Sequence, residues 1–340
     1  MSAFSPDSLS HSDAAKRSSL DAARAKAHIA DLKYSTDSFS TLLQPRHSGL
    51  THSRSLNSPL INRGYFARVS CVDLVLSRFL SSHPSSPIIN VVEMGSGSST
   101  LYLRAMSGET SPPLPSGAGM KFYEVDFHDV LENKKRALSR KEAPSASMPP
   151  SPPLPPLPPL PTYHAADLSV PNFSSTFKEK TAIDVSVPTL FIFEAVLMYM
   201  DRASSDRLLA DISSVFTDAT VLLYDPILMK TRFGATMCEN LRRSGVNVTG
   251  MQTLTTLKDQ LHRLESVGFP TTRGLNMLTA YSSVLSPSQR GHASSLEMLD
   301  EVEEWEMIMS HYVLTVGSNK NGGSSDDGTR TTNLLKSHIE

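Results

Sequence analysis

The chain has few cysteines, one tryptophan, no surplus of either charge and no long apolar run. Each shortage removes a class of protein. Cys71 and Cys238 are the only cysteines in 340 residues, and both sit in apolar, helical-looking stretches. They provide neither a disulfide framework nor the paired spacing of a zinc site, and they fit a reducing compartment. Thirty-two basic against thirty-four acidic side chains leave a formal net charge of -2, so the strong field of a nucleic-acid or membrane-surface binder is missing. The first residues, MSAFSPDSLSHSDAAKRSS, have no apolar core of a signal peptide, and no later run approaches the roughly 20 residues that span a bilayer. The expectation is a cytoplasmic monomer that engages neither nucleic acid nor membrane.

Proline and serine are plentiful but local. Residues 1–20 carry too little apolar surface to offset the entropy of ordering and read as a disordered arm. The stretch Gly108 to Gly119 and, above all, APSASMPPSPPLPPLPPLP (143–161) are proline-rich, which removes backbone donors and favours polyproline II. The second stretch marks a surface insert at about 140–162. Residues 318–340 are polar and read as a disordered tail, leaving 21–317 as the folded domain.

Within that domain, strand-like and helix-like patterns alternate, which predicts an α/β fold, a mostly parallel sheet covered on both faces. Phe66, Val69, Val72, Leu76, Phe79 and Leu80 recur at helical spacing ahead of the short apolar run IINVV. Further strands are expected at KFYEVDF, TLFIFEA, TVLLYDP and HYVLTVG. Ser294 and Glu297 have the spacing of a capping box for a last helix running through Trp305 and Met309.

The most informative segment is VVEMGSGSST, where a buried strand meets Gly95, Ser96 and Gly97 and then a helix near Thr100. Glycine there lets backbone approach a ligand, and the helix start offers unpaired N–H groups. The next strand ends in Glu124 and Asp126, where an acid accepts hydrogen bonds from ribose hydroxyls. Thr100 stands where a dinucleotide fingerprint has its third glycine, and no second nucleotide-binding half follows, so a single-nucleoside cofactor is favoured. Asp167 with Leu168, and Glu194 at the end of FIFEA, fall at further strand ends. Open α/β sheets bind ligands at that edge.

The segments PLINRGYFARV, EMGSGSSTLYLRA, YEVDF, ADL, FEAVLMYM, FGATMCENLRR and LEMLDEVEEWEMIMSHYVL, in that order between Asp21 and Val316, resemble the leucine carboxyl methyltransferase family. The resemblance implies a class I methyltransferase fold with an antiparallel last strand. It implies S-adenosylmethionine as cofactor and methyl transfer to the C-terminal leucine carboxylate of the protein phosphatase 2A catalytic subunit. It also implies that Arg68 pairs with the cofactor's methionine carboxylate and that Gly95 packs against the cofactor. Asp126 would hold the ribose, Asp167 and Leu168 would flank the adenine, and Glu194 would lie near the amino group. Lys26 matches a family lysine whose neighbouring arginine is replaced here by Ala27. Glu93 stands where relatives often have a neutral residue.

An α-carboxyl group ionises near pH 3.5 or so, which explains why no histidine or cysteine base is needed. Arg63 and Arg68 are the cations that an anionic substrate calls for, and Tyr199 is a candidate donor to it. Two other readings stay open. One is a same-fold O-methyltransferase for a different carboxylate or hydroxyl; the other is an interaction protein whose PPLPPLPPLP segment recruits SH3 or WW domains.

Overall fold

The computed structural model describes residues 11–43, 57–115, 119–139, 156–227, 230–243, 253–320 and 325–337. Its centre is a seven-stranded sheet of β1 (Ile88–Met94), β2 (Gly119–Asp126), β3 (Thr162–Ala165), β4 (Thr189–Glu194), β5 (Ala219–Pro226), β6 (Thr271–Asn276) and β7 (Tyr312–Ser318). The strand order is β3-β2-β1-β4-β5-β7-β6. Pairings from β3 through β5 are parallel, and β7 runs antiparallel to both its neighbours, β5 and β6.

The central strands are apolar on both faces because both faces are covered. Ile89, Val91, Leu190, Ile192, Leu222 and Tyr224 point into one core. The intervening Val92, Phe191, Phe193, Val221 and Leu223 point into the other. The first core is closed by α1 (His11–Asp31), α2 (Pro59–Ser81), α3 (Leu101–Met106), the short α9 (Met277–Thr279), α10 (Pro287–Leu296), α11 (Val302–Ser310) and α12 (Ser325–Asn333). Across the sheet lie α5 (Phe173–Thr181), α6 (Arg202–Val215) and α8 (Leu257–Ser266), whereas α4 (His128–Ser139) packs Ala137 and Leu138 into the first core and α7 (Arg232–Arg243) covers a small separate cluster around Met198 and Leu254. Pro59 opens α2 at the one position where its missing N–H costs nothing. Among the described residues, no helix is long and apolar enough to cross a membrane.

The structure departs from the sequence expectations in four places. Helix α1 starts at His11, inside the stretch read as an arm; residues 1–10 lie outside the described residues. Its front half gains polar partners on the sheet edge, and its rear half buries Ala27 and Ile29 completely. In the presumed tail, α12 is followed by buried Leu334 and Leu335, and Arg78 donates to the carbonyls of Leu334 (3.1 Å) and Lys336 (2.9 Å). Two leucines are enough to dock an otherwise polar segment.

The third departure concerns the last helix. Ser294 lies within α10, and Glu297 is extended, with φ -143° and ψ 140°. Its carboxylate accepts from the Tyr34 hydroxyl and the Asn62 amide, each at 2.9 Å, so α11 begins only at Val302. The capping boxes are at Ser286/Gln289 and Thr256/Asp259 instead. Fourth, β3 and β6 escaped the sequence reading. Both are edge strands, and β6 (TTRGLN) is half-buried along its whole length, so neither carries a buried apolar run.

Of the proline-rich insert, residues 140–155 lie outside the described residues. Over 156–161 the chain is irregular and leads into β3, with the Tyr102 hydroxyl donating to the Pro159 carbonyl at 2.5 Å.

Candidate active site

A cavity of about 460 Å³ opens at the carboxyl ends of β1, β2, β3 and β4 and is roofed by α1. It lies where the strand order reverses direction, between β1 and β4, the usual crevice of an open α/β sheet. Lys26, Arg68, Gly95, Asp126, Asp167, Leu168, Glu194 and Tyr199 all line it. Arg63 does not.

The glycine loop is shaped by backbone geometry. Gly95 has φ +66°, and a Cβ there would stand 2.8 Å from a Val196 methyl. Gly97 has φ +50° and donates its N–H to Asp126 Oδ2 at 2.7 Å. Asp126 Oδ1 accepts from the Phe127 N–H, also at 2.7 Å. Two backbone donors therefore fix this carboxylate at the pocket wall. Burial still raises its pKa against their effect.

At the end of β4, Glu194 lies between two cations. Lys26 Nζ approaches Oε1 at 2.8 Å and Oε2 at 3.0 Å, while Arg68 Nε donates to Oε1. Burial pushes the Glu194 carboxyl up, but Arg68 and then Lys26 outweigh it and hold the pKa down to about 2. One carboxylate against two cations leaves one net positive charge facing the cavity, the complement of an anionic ligand group. The Arg68 guanidinium also lies over the Tyr224 ring (4.7 Å) and the Tyr65 ring (5.6 Å), and Tyr224 stacks on Tyr312 at 5.4 Å. Ala195, next in the chain, has φ +57°, a strained value for a residue with a Cβ. Its N–H is held by the Tyr224 carbonyl at 2.7 Å, so β5 imposes the turn that carries the chain from Glu194 to Tyr199.

The remaining positions behave differently from one another. Asp167 is exposed and folds its Oδ1 onto Ser169, taking the backbone N–H at 2.9 Å and the hydroxyl at 2.7 Å. Leu168 is buried beside it. The Tyr199 hydroxyl donates to Ser18 Oγ of α1 at 2.5 Å. Arg63 is buried away from the cavity and donates to the Glu297 carbonyl at 3.0 Å. Five residues along a helix is a rotation of about 140° beyond a full turn, so Arg63 and Arg68 cannot face the same way.

The sequence reading missed Ser18, Ser19, Tyr65 and Tyr312 as lining residues and left Glu93 without a role. Ser18 and Ser19 were hidden by the composition of the arm, whereas Tyr65 sat in plain view inside NRGYFAR. Glu93 lines the cavity floor and is 2% exposed, and its Oε2 has no partner. Burial first, then the nearby Glu124 carboxylate, push its pKa up to about 7. The residues suit S-adenosylmethionine: a cationic pair for a carboxylate, a fixed acid for ribose hydroxyls, and a glycine cradle where a Cβ would collide.

This strand order with a reversed β7, joined to a glycine loop and acids at successive strand ends, defines a class I S-adenosylmethionine-dependent methyltransferase. Comparison with known proteins narrows the class. The family model described as leucine carboxyl methyltransferase matches residues 15–213. Leucine carboxyl methyltransferase 1 of Rattus norvegicus is 30% identical over 77% of this chain and 78% of its own length, and the Bos taurus protein of the same name gives the same identity and coverage. The Yarrowia lipolytica relative is 27% identical over 77% of this chain and 79% of its own. The chain belongs to the leucine carboxyl methyltransferase family, enzymes that use S-adenosylmethionine to methylate carboxylates.

Glu93 predicts a pH signature. Unfolded, it ionises at its ordinary value of 4.5; folded, it keeps its proton up to about 7. Between those values the native state holds the extra proton, so this group subtracts stability as pH rises through the window. The Glu93→Gln variant is expected to gain melting temperature over the parent progressively from pH 4.5 to 7, with a constant difference of several degrees beyond pH 8. A difference that does not vary with pH contradicts the assignment.

Proposed function

We propose that this enzyme methylates the α-carboxylate of the C-terminal leucine of the protein phosphatase 2A catalytic subunit. The observation that carries the reading is the character of the cavity wall. It offers a net cation held by Glu194 and the Tyr199 hydroxyl beside it, and among the described residues no histidine or cysteine lines it. Such a wall suits a nucleophile that needs no deprotonation, as an α-carboxylate with a pKa of roughly 3.5 does not.

In this reading Arg68 and Lys26 hold the cofactor's methionine carboxylate, and Glu194 keeps both cations in place. Gly95 packs against the cofactor, Asp126 takes the ribose hydroxyls, and Asp167 with Leu168 borders the adenine. When bound, S-adenosylmethionine supplies an electrophilic methyl group. Tyr199 positions the substrate carboxylate, for which Arg63 is too remote. The α1 roof excludes water, which favours a reaction in which anion and cation neutralise each other, and positioning supplies much of the remaining acceleration. The exposed stretch Pro156 to Leu160 plays no part in this chemistry.

Two outcomes are expected. Arg68→Ala should weaken calorimetric binding of S-adenosylmethionine on the order of a hundredfold, the effect of losing a buried charged partner, while the protein still melts cooperatively. Affinity equal to the parent's refutes the role of Arg68. With labelled S-adenosylmethionine, the phosphatase catalytic subunit should accept label, and the same subunit lacking its terminal leucine should not. Equal labelling of both overturns the substrate assignment.

A further inference from the structure

The front of α1 is attached to the sheet differently from its rear. Ala27 and Ile29, toward its end, are fully buried in the core. Residues 15–20 are exposed or half-buried and are held by polar contacts: Lys16 to Asp129 at 2.7 Å, Tyr199 to Ser18 at 2.5 Å, and the Ser98 N–H to Ser19 Oγ at 3.3 Å. The front can therefore lift or unwind while the rear stays anchored.

Ser19 occupies the tightest point of this contact. A Cβ built on Gly97 would stand 2.1 Å from Ser19 Oγ and 3.2 Å from its Cβ, so nothing larger than a hydroxyl fits between the helix and the glycine loop. The carboxylate of Asp126, which accepts from that same Gly97 N–H at 2.7 Å, lines the same cavity as Ser19. The surrounding sequence reads Lys16-Arg17-Ser18-Ser19-Leu20, with Arg17 and Leu20 exposed. Cations three and two positions before a serine and an apolar residue after it form the pattern that basophilic protein kinases read in an extended peptide.

We propose that Ser19 is a phosphorylation site that controls access to the cofactor pocket. In the kinase's own site the Ser19 hydroxyl oxygen attacks the γ-phosphorus of a nucleoside triphosphate. The bond to the β-phosphate oxygen breaks, the diphosphate leaves, and the hydroxyl proton passes to the kinase's base. The product carries about two negative charges and three further oxygens, which the Gly97 contact cannot admit and the Asp126 carboxylate repels. Phosphorylated α1 therefore cannot seat its front half, and the pocket loses its roof. Conversely, cofactor held beneath a seated α1 keeps Ser19 from adopting the extended form that a kinase needs, as reciprocal coupling requires. The proposal rests on S-adenosylmethionine occupying the pocket under α1.

The test uses the full chain, ATP and the catalytic subunit of cyclic-AMP-dependent protein kinase as probe. Mass spectrometry is expected to find phosphate on Ser19 of the ligand-free protein and none at that position in Ser19→Ala. Calorimetry should show at least tenfold weaker S-adenosylmethionine binding by the phosphorylated protein, whose melting temperature without ligand stays within about 2 °C of the unmodified protein. Saturating S-adenosylhomocysteine should slow labelling at least tenfold. Failure of Ser19 to take phosphate, or equal affinity before and after, overturns the proposal. Failure of the unmodified protein to bind S-adenosylmethionine instead overturns the reading of the pocket.

Discussion

The site depends on the ion cluster of Glu194 with Arg68 and Lys26. A carboxylate with a tenth of its side chain exposed would by itself take up a proton, because burial penalises its charge. Two cations reverse that outcome and hold it ionised to about pH 2. The cluster also joins three pieces of chain that are far apart in sequence. Lys26 comes from the roof helix α1, Arg68 from the core helix α2, and Glu194 from the central strand β4. Losing Glu194 would leave two buried cations without a counter-charge, which is costly, whereas losing either cation leaves a balanced pair and removes the surplus charge. The same cluster thus shapes this end of the pocket and places one local positive charge there.

Around it, the fold spends conformational strain and desolvation on the ligand's side of the sheet. Ala195 is held at φ +57° by a strand neighbour, and Gly95 has no space for a side chain beside Val196. Glu93 and Asp225, near the ends of β1 and β5, are buried acids with carboxylate oxygens that have no partner, and burial pushes both up to about 7. Glu124, by contrast, is matched by Lys134 at 2.5 Å in an equally buried position. Unmatched acids lower stability at neutral pH, and their place at the ends of strands near the pocket shows which part of the sheet gives up stability for function.

Much of this was legible in the sequence because it depends on local pattern. Apolar runs such as IINVV and TVLLYDP mark strands buried on both faces, and the glycine loop and the acids Asp126 and Glu194 mark their carboxyl ends. What was not legible depends on tertiary partners. The arm residues Ser18 and Ser19 have no apolar surface to signal order, yet they find donors on Tyr199 and Ser98. Glu297 has capping spacing from Ser294, but Tyr34 and Asn62 draw it away into an extended conformation. Arg63 belongs to the same motif as Arg68, and helix geometry alone turns it to the opposite side of α2. Edge strands β3 and β6 lack the double burial that makes a strand visible in sequence.

The central claim is that the Glu194 cluster receives the charged end of the cofactor. A crystal structure of the chain with S-adenosylhomocysteine tests it directly. The account predicts the ligand carboxylate within hydrogen-bond distance of Arg68 or Lys26, with Glu194 still bridging the two and the ribose hydroxyls on Asp126. A ligand carboxylate bound elsewhere, or Glu194 released from both cations, would contradict it.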